Sequence, residues 1–435
     1  MYEISAQAAA WQTAGAAVVF AAIVFLFIWE RWHRGLVAIL GAAAVILIGA
    51  VPLSSLAKWL HLPFIALVIG MSAIAGVAQK SGLMAVLAVL LTRAGGGGPG
   101  RTVGLLLLAT GAAGALLDPV AAVLTLIPVG LQLGSLLGLR RSPLLFGQML
   151  AASLGGIVTL NGSPVNMLIS AAHSFTYIDI LLHIGLPALA LLVAFTAIMA
   201  IIYRGRARPE LLLDAAEWKP RAWLREPVLL RGSAVALGGV TLVFLLHHWL
   251  PVHPGWVALI AAAALVAFSR KRYDVRELVE DVDWRTASSL LGLFVLAGAL
   301  AETGVIHALA QGAAELSAGS LPLLAVLLLW LSALLAGALG PLPVAALLVQ
   351  LIPALAGVVP AAAADAAQLH PLYWALALGT ALGAAASPLG APGNVAAIAM
   401  AARAKESATV ADFLRWSAPA AAGGLALATL YTLLQ

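Results

Sequence analysis

"ASLGGIVTLNGSPVNMLIS", residues 152–170, is the stretch whose reading decides the fold. The chain on either side is apolar enough to lie in lipid. The stretch itself holds Gly155, Gly156, Gly162 and Pro164 together with Ser153, Thr159, Asn161, Ser163 and Asn166. Glycine and proline are poor residues for a helix interior, and polar side chains at membrane depth are rarely there without a function. The combination predicts a span that unwinds partway across the bilayer. Irregular backbone is tolerated at that depth only where protein buries it or where it lines a cavity.

Composition agrees. The 435 residues are 63% hydrophobic and 9% charged, with mean hydropathy +1.05. A water-soluble domain could not cover that much apolar surface. At about 20 apolar residues per span, the length accommodates about ten membrane helices. The expected fold is all-α and polytopic, with about ten transmembrane helices plus two re-entrant hairpins in two inverted-topology repeats. Short alternating strands of a β-barrel are missing. With no cysteine in the chain, disulfides, thiolate metal sites and cysteine nucleophiles are excluded. The sequence pI of about 9.7 reports orientation and anionic lipid, not nucleic acid. The segment MYEISAQAAA carries one acid and no base, so the run Trp11–Trp29 reads as a first span and not a cleaved signal.

Basic residues gather at Arg31 and Arg34, at Lys80, Arg93 and Arg101, at Arg140 and Arg141, through 203–231, over Arg270–Arg285, and at Arg403, Lys405 and Arg415. The alternate loops, 171–178, 250–254, 304–320 and 359–371, are nearly free of Lys and Arg, and Lys58 is the exception. The positive-inside rule then makes the basic loops cytoplasmic and turns both termini outward, to the periplasmic side of a bacterial inner membrane. The alternation holds only if 102–138 and 321–358 each enter and leave on one side, as hairpins.

The chain is also doubled. GMSAIAGVAQKSG at Gly70 matches GLFVLAGALAETG at Gly292, so that Gly70, Gly76 and Gly82 fall on Gly292, Gly298 and Gly304. HRGLVAILGAA matches HPGWVALIAAA, and LNGSPVNMLIS matches PLGAPGNVAAI, with Asn166 on Asn394. The order is kept throughout. Residues 1–202 form the first repeat, 203–231 a basic cytoplasmic linker and 232–435 the second repeat. Five spans and a hairpin per repeat is an odd count, so the second repeat enters from the opposite face. This is the architecture of secondary transporters, whose sites lie near the midplane.

The substrate or ion site is therefore expected at the two breaks. Ser153, Gly156, Thr159, Asn161, Gly162, Ser163 and Asn166 form one half, and Ser387, Gly390 and Asn394 the other. An unwound helix offers N–H donors to an anion at one end and freed carbonyls to a cation at the other. Asp118 is the one carboxylate well inside an apolar run, where the first hairpin should turn. It could carry a proton, ligate a cation, or cap the returning arm. The second hairpin has Gly340, Pro341, Leu342 and Pro343 at its tip and no acid. His247, His248 and His253 read as interfacial, and GGGGPG at 95–100 as a linker lacking the Lys-Ser/Thr of a phosphate loop.

LDPVAAVLTLIP resembles the first hairpin of the ion transporter superfamily, including NhaD-type sodium/proton antiporters. GGIVTLNGSPVN is similar to that superfamily's GGxxTLIGxPxN stretch. LPVAALL is similar to a run in arsenite efflux permeases. The resemblance implies a scaffold, a transport domain moving elevator-fashion, and a site between hairpin tips and broken helices. The dicarboxylate symporters of the superfamily carry Ser-Asn-Thr at both hairpin tips, which here read Asp118-Pro119-Val120 and Leu342-Pro343-Val344. That departure disfavours a sodium/dicarboxylate symporter. The expected function is secondary active transport of a small inorganic or organic ion, arsenite-like or anionic, with H+ or else Na+ as coupling ion. A sodium/proton antiporter is the alternative, and a channel or an enzyme is disfavoured. No cofactor or metal is expected. The expected partners are the small ion or anion and the lipid bilayer, not nucleic acid, with a homodimer as the candidate assembly.

Overall fold

The computed structural model describes residues 9–29, 31–82, 86, 90, 94–95, 98–136, 139, 141–173, 175–204, 226–246, 253–269, 276, 282–359, 365–388, 390–391, 393–395, 397–398 and 410–435. Most of the expected linker and cytoplasmic loops (205–225, 270–275 and 401–409), together with His247 and His248, lie outside the described residues. Among the described residues there is no strand.

The first half runs α1 (Ala10–Trp29), α2 (Arg34–Leu47), a short elbow over Leu53–Trp59, and α3 (Leu62–Ser81). Then come α4 (Pro99–Leu116), α5 (Pro119–Leu136), α6 (Arg141–Gly156), α7 (Pro164–His173) and α8 (Tyr177–Tyr203). The second half runs α9 (Pro227–Leu246), α10 (Pro254–Ser269), α11 (Trp284–Glu302) and α12 (Val305–Leu316). It ends with α13 (Leu321–Leu339), α14 (Pro341–Leu355), α15 (His370–Ala386) and α16 (Val410–Leu433). Residues 393–395 are helical again, where α7 has its counterpart. Proline opens α4, α5, α7, α9, α10 and α14, a position that needs no N–H and favours helical φ.

Five described helices, α1, α8, α9, α11 and α13, are long and apolar enough to cross a bilayer alone. The elbow and α3 pass the same test together, bent by 44°. Other apolar helices are shorter. The expectation of about ten spans rested on apolar length, and among the described residues the structure divides part of that length into shorter helices and one bent pair.

Packing sorts the helices into two bundles. The first contains α1, α2, α3, α9, α10 and α11, with α2 against α11 and α3 against α10. The second contains α4 to α8 and α13 to α16, with α4 against α6 and α13 against α15. Each bundle draws on both halves of the chain, and α12 packs against α14 of the second and α11 of the first. The glycines aligned in sequence explain the closeness of these pairs. A methyl group on Gly70 would come within 2.5 Å of the Ala258 carbonyl carbon, and one on Gly292 would strike the backbone of Ala38. Gly155 likewise lies on the Gly111 carbonyl, and Gly383 on the Ala333 carbonyl. Small residues let membrane helices approach to backbone contact, where dispersion replaces the missing hydrophobic drive.

Candidate functional site

The first hairpin turns at Leu117 and Asp118, between α4 and α5. Asp118 Oδ1 accepts hydrogen bonds from the Val120 N–H at 2.6 Å and the Ala121 N–H at 3.0 Å, capping α5. Its other oxygen takes no hydrogen bond from a described residue. The aspartate is therefore a helix cap with half of its carboxylate uncommitted. The second hairpin turns at Gly340, whose φ of 90° suits glycine and strains other residues. No side chain caps the N-terminus of α14 that follows.

The break after α6 is tied into a fixed shape. The Thr159 hydroxyl donates to the Ala115 carbonyl and accepts from the Gly162 N–H at 3.0 Å. Asn166 Nδ2 donates to the carbonyls of Ile157 and Thr159, both at 2.9 Å. The second break repeats this. Asn394 Nδ2 donates to the carbonyls of Ala384 at 3.1 Å and Ser387 at 2.9 Å. Asn166 thus occupies two carbonyls of the unwound segment just past α6, and Asn394 one carbonyl in the last turn of α15 and that of the capping Ser387. Both side chains are buried. Asn166 Oδ1 takes no hydrogen bond from a described residue.

Glycine contacts join the two breaks to the hairpin tips. A methyl group on Gly156 would meet the Pro119 ring, and one on Gly162 would meet Ala115 Cα at 2.9 Å. One on Gly393 would lie 3.4 Å from Val120 Cα, and one on Gly340 would lie 3.5 Å from the Gly390 carbonyl oxygen. α7 also packs against α14. The helical starts at Pro119, Pro164, Pro341 and 393 therefore belong to one contiguous cluster. Of the predicted residues, Asp118, Gly156, Thr159, Gly162, Ser163 and Asn166 surround the first break, and Ser387, Gly390 and Asn394 the second. Ser153 sits one turn back in α6 and is buried.

Asn161 is placed differently. It points out of its own bundle and donates through Nδ2 to Thr241 Oγ1 of α9 at 2.9 Å. Its Oδ1 is buried without a described partner. A second hydrogen bond crosses between the bundles in the reverse sense. Arg34 Nη1, at the start of α2, donates to the Leu339 carbonyl beside the second hairpin tip at 3.2 Å. Neither Thr241 nor Arg34 stood out in the sequence, because each is an ordinary residue of a helix remote from the breaks. Gln148 was also missed. It is fully buried in α6 and donates to the Leu126 carbonyl at 2.9 Å, next to the Pro128 irregularity of α5. A cluster of His173, Phe175, His183, His370, Tyr373 and Trp374 joins the far ends of α7, α8 and α15, with the rings of His173 and His370 5.3 Å apart. The pairing of HSF at 173–175 with HPLYW at 370–374, both in loops poor in Lys and Arg, was the available signal.

A transporter from Mycobacterium tuberculosis that is itself uncharacterized is 30% identical over 372 residues, covering 85% of each chain. A second one from the same organism is 29% identical over 425 residues, covering 97% of this chain and 98% of its own. The magnetosome protein MamN of Paramagnetospirillum magneticum is 26% identical, covering 92% of this chain and 94% of its own. The crystal structure of the YdaH transporter of Alcanivorax borkumensis superposes with a TM-score of 0.60 at 18% identity, covering 87% of each chain, and so shares the fold. The model of the family described as citrate transporter, CitMHS, matches residues 24–379, and the chain belongs to this family of multi-pass membrane transporters.

Proposed function

We propose that the protein is a secondary active transporter that carries a small inorganic or organic anion, held where the two broken helices meet the hairpin tips. One observation carries this reading. Asn166 spends its donors on carbonyls of the unwound segment just past α6, and Asn394 on carbonyls in the last turn and at the cap of α15. Those carbonyls are the ones that would otherwise attract a cation. Beside the uncommitted Asn166 Oδ1, the helical starts at Pro119, Pro164 and Pro341 and the helical residues 393–395 bring the partial positive charge of four helix N-terminal ends to the cluster. Asp118 neutralises one of the four. The balance of partial charge favours an anion. The family's description as citrate transporters points within that class to a carboxylate such as citrate.

The bundle that holds the site moves past the other as a lift, with Asp118 carrying the coupling proton on its uncommitted oxygen. Two discrete bundles, each assembled from both halves, support such a motion. Residues 1–202 and 232–435 act as the two repeats, the basic loops face the cytoplasm and both termini face outward across the inner membrane. A sodium/proton antiporter is the second reading, favoured by the same open carboxylate oxygen. Uptake into proteoliposomes decides between them. Citrate, sulfate and arsenite are offered under a pH gradient without sodium, and sodium is then offered alone. Proton-driven accumulation of an anion supports the first reading. Sodium flux exchanged for protons, with no anion accumulated, overturns it.

A further inference from the structure

On the membrane face of the second bundle, α6, α8 and α16 enclose a cavity of about 460 Å³ that neither break nor hairpin reaches. Its walls include Phe146, Leu150, Phe195 and Ile202. It opens to the surrounding lipid, since Ile198 and Leu427 line it and are 55% and 54% exposed. One end is different. Arg415 and Trp416 stand there, and Arg415 is exposed and pairs with no described residue. Arg141 begins α6 and Arg204 follows α8 at the same end of the three helices. Ser417 also lines the cavity, and its Oγ is buried with no hydrogen-bond partner among the described residues.

We infer that this cleft is a binding site for one anionic phospholipid. The acyl chain fills the apolar cavity and Arg415 pairs with the phosphate. Trp416 sits at the headgroup level that suits an indole. Basic clefts between membrane helices on the cytoplasmic side take anionic headgroups in this way. The charge of the rim excludes a plain hydrocarbon as the fitting occupant, and the apolar walls exclude a free anion. The assignment to the inner leaflet rests on the orientation proposed above. An inverted orientation would place Arg415 within reach of external thiol reagents after Arg415→Cys, and would leave lipid binding intact.

Gly423 lines the cavity, and a methyl group there would meet nothing within 4 Å. Gly423→Leu therefore adds an apolar side chain to the cavity wall at a position where the Cβ is unobstructed. Native mass spectrometry of the detergent-purified chain, titrated with phosphatidylglycerol, phosphatidylcholine or inorganic phosphate, tests the site. Phosphatidylglycerol is expected to bind about tenfold more tightly than phosphatidylcholine, whose phosphate meets Arg415 too but whose choline ammonium offsets the attraction. Arg415→Gln is expected to remove that ratio. Gly423→Leu is expected to weaken both lipids, with the melting temperature of the lipid-free protein unchanged in each variant. Inorganic phosphate is expected not to bind. Equal phosphatidylglycerol binding by the parent and both variants would overturn the site. So would a dimer that the parent forms and Gly423→Leu dissociates, which would assign the cleft to a second copy of the chain.

Discussion

Replacing Asn166 or Asn394 by alanine tests the reading of the breaks most directly. Each side chain is buried and donates two hydrogen bonds to backbone carbonyls seven to ten residues earlier in the chain. Alanine leaves both carbonyls without that donor. A buried polar group without a partner costs roughly 1–3 kcal/mol. Each variant should therefore lose about 2–6 kcal/mol, and because each asparagine makes two such bonds the two losses should be similar. At roughly 2–4 °C per kcal/mol, melting followed by intrinsic tryptophan fluorescence in detergent should fall by at least about 4 °C. Asn166→Asp supplies the control. It keeps the size and the uncommitted oxygen but deletes the N–H donors, so it should fall about as far as alanine. A drop below about 1 °C in either alanine variant, or full recovery with aspartate, would refute the account of how the breaks are held.

Asp118→Asn keeps the capping oxygen, and asparagine caps a helix about as well as aspartate. Its melting temperature should match the parent while proton-driven uptake into proteoliposomes is lost; uptake that persists removes Asp118 from coupling. Thr241→Val strands the Asn161 amide at the interface between bundles. One hydrogen bond of roughly 0.5–1.5 kcal/mol should shift the ratio of two inter-bundle distances, read from paired spin labels in the cysteine-free chain, by about twofold to tenfold. An unchanged ratio would mean that the bond does not hold the bundles, and a single distance under all conditions would count against the lift itself. Gly340→Ala places a Cβ at φ 90° and ψ 158°, a region that suits glycine alone, and should cost about 1–3 kcal/mol, seen as a lower melting temperature; no change would show that the tip relaxes freely. Gly383→Val should be more damaging, because its side chain would enter the Ala333 backbone; normal yield of folded protein would contradict the close crossing of α13 and α15.

The sequence made the breaks, the hairpin tips and the doubling readable because each leaves a local mark. GSPVN and GAPGN contain the residues that interrupt a helix, and Gly70 and Gly292 recur in the same context. What each glycine faces was not readable. Gly70 lies on Ala258 and Gly292 on Ala38, contacts set by tertiary packing between segments far apart in the chain. The asparagines illustrate the same limit. Their position at a break marked them as site residues, and the structure shows that their amide nitrogens maintain the break, leaving the oxygens for other work. Asn161 looked equivalent to Asn166, yet it reaches the other bundle, since which side of an unwound loop a residue faces depends on backbone angles that composition does not specify.

The exchange of partners between halves also bears on how the chain is made. His33 at the entrance to α2 accepts a hydrogen bond from Arg285, 252 residues later, and α2 packs its buried face on α11. A ribosome adds roughly 5–20 residues per second, so α2 waits roughly 12–50 s for its partner while α3 waits almost as long for α10. During that interval the small-residue faces of α2 and α3 sit in the membrane unmatched, exposed to the wrong helix. Biogenesis of this protein should accordingly depend on whatever shields unpaired spans at the translocon, and a slowed codon run after α3 should lower its yield more than the same run placed after α11.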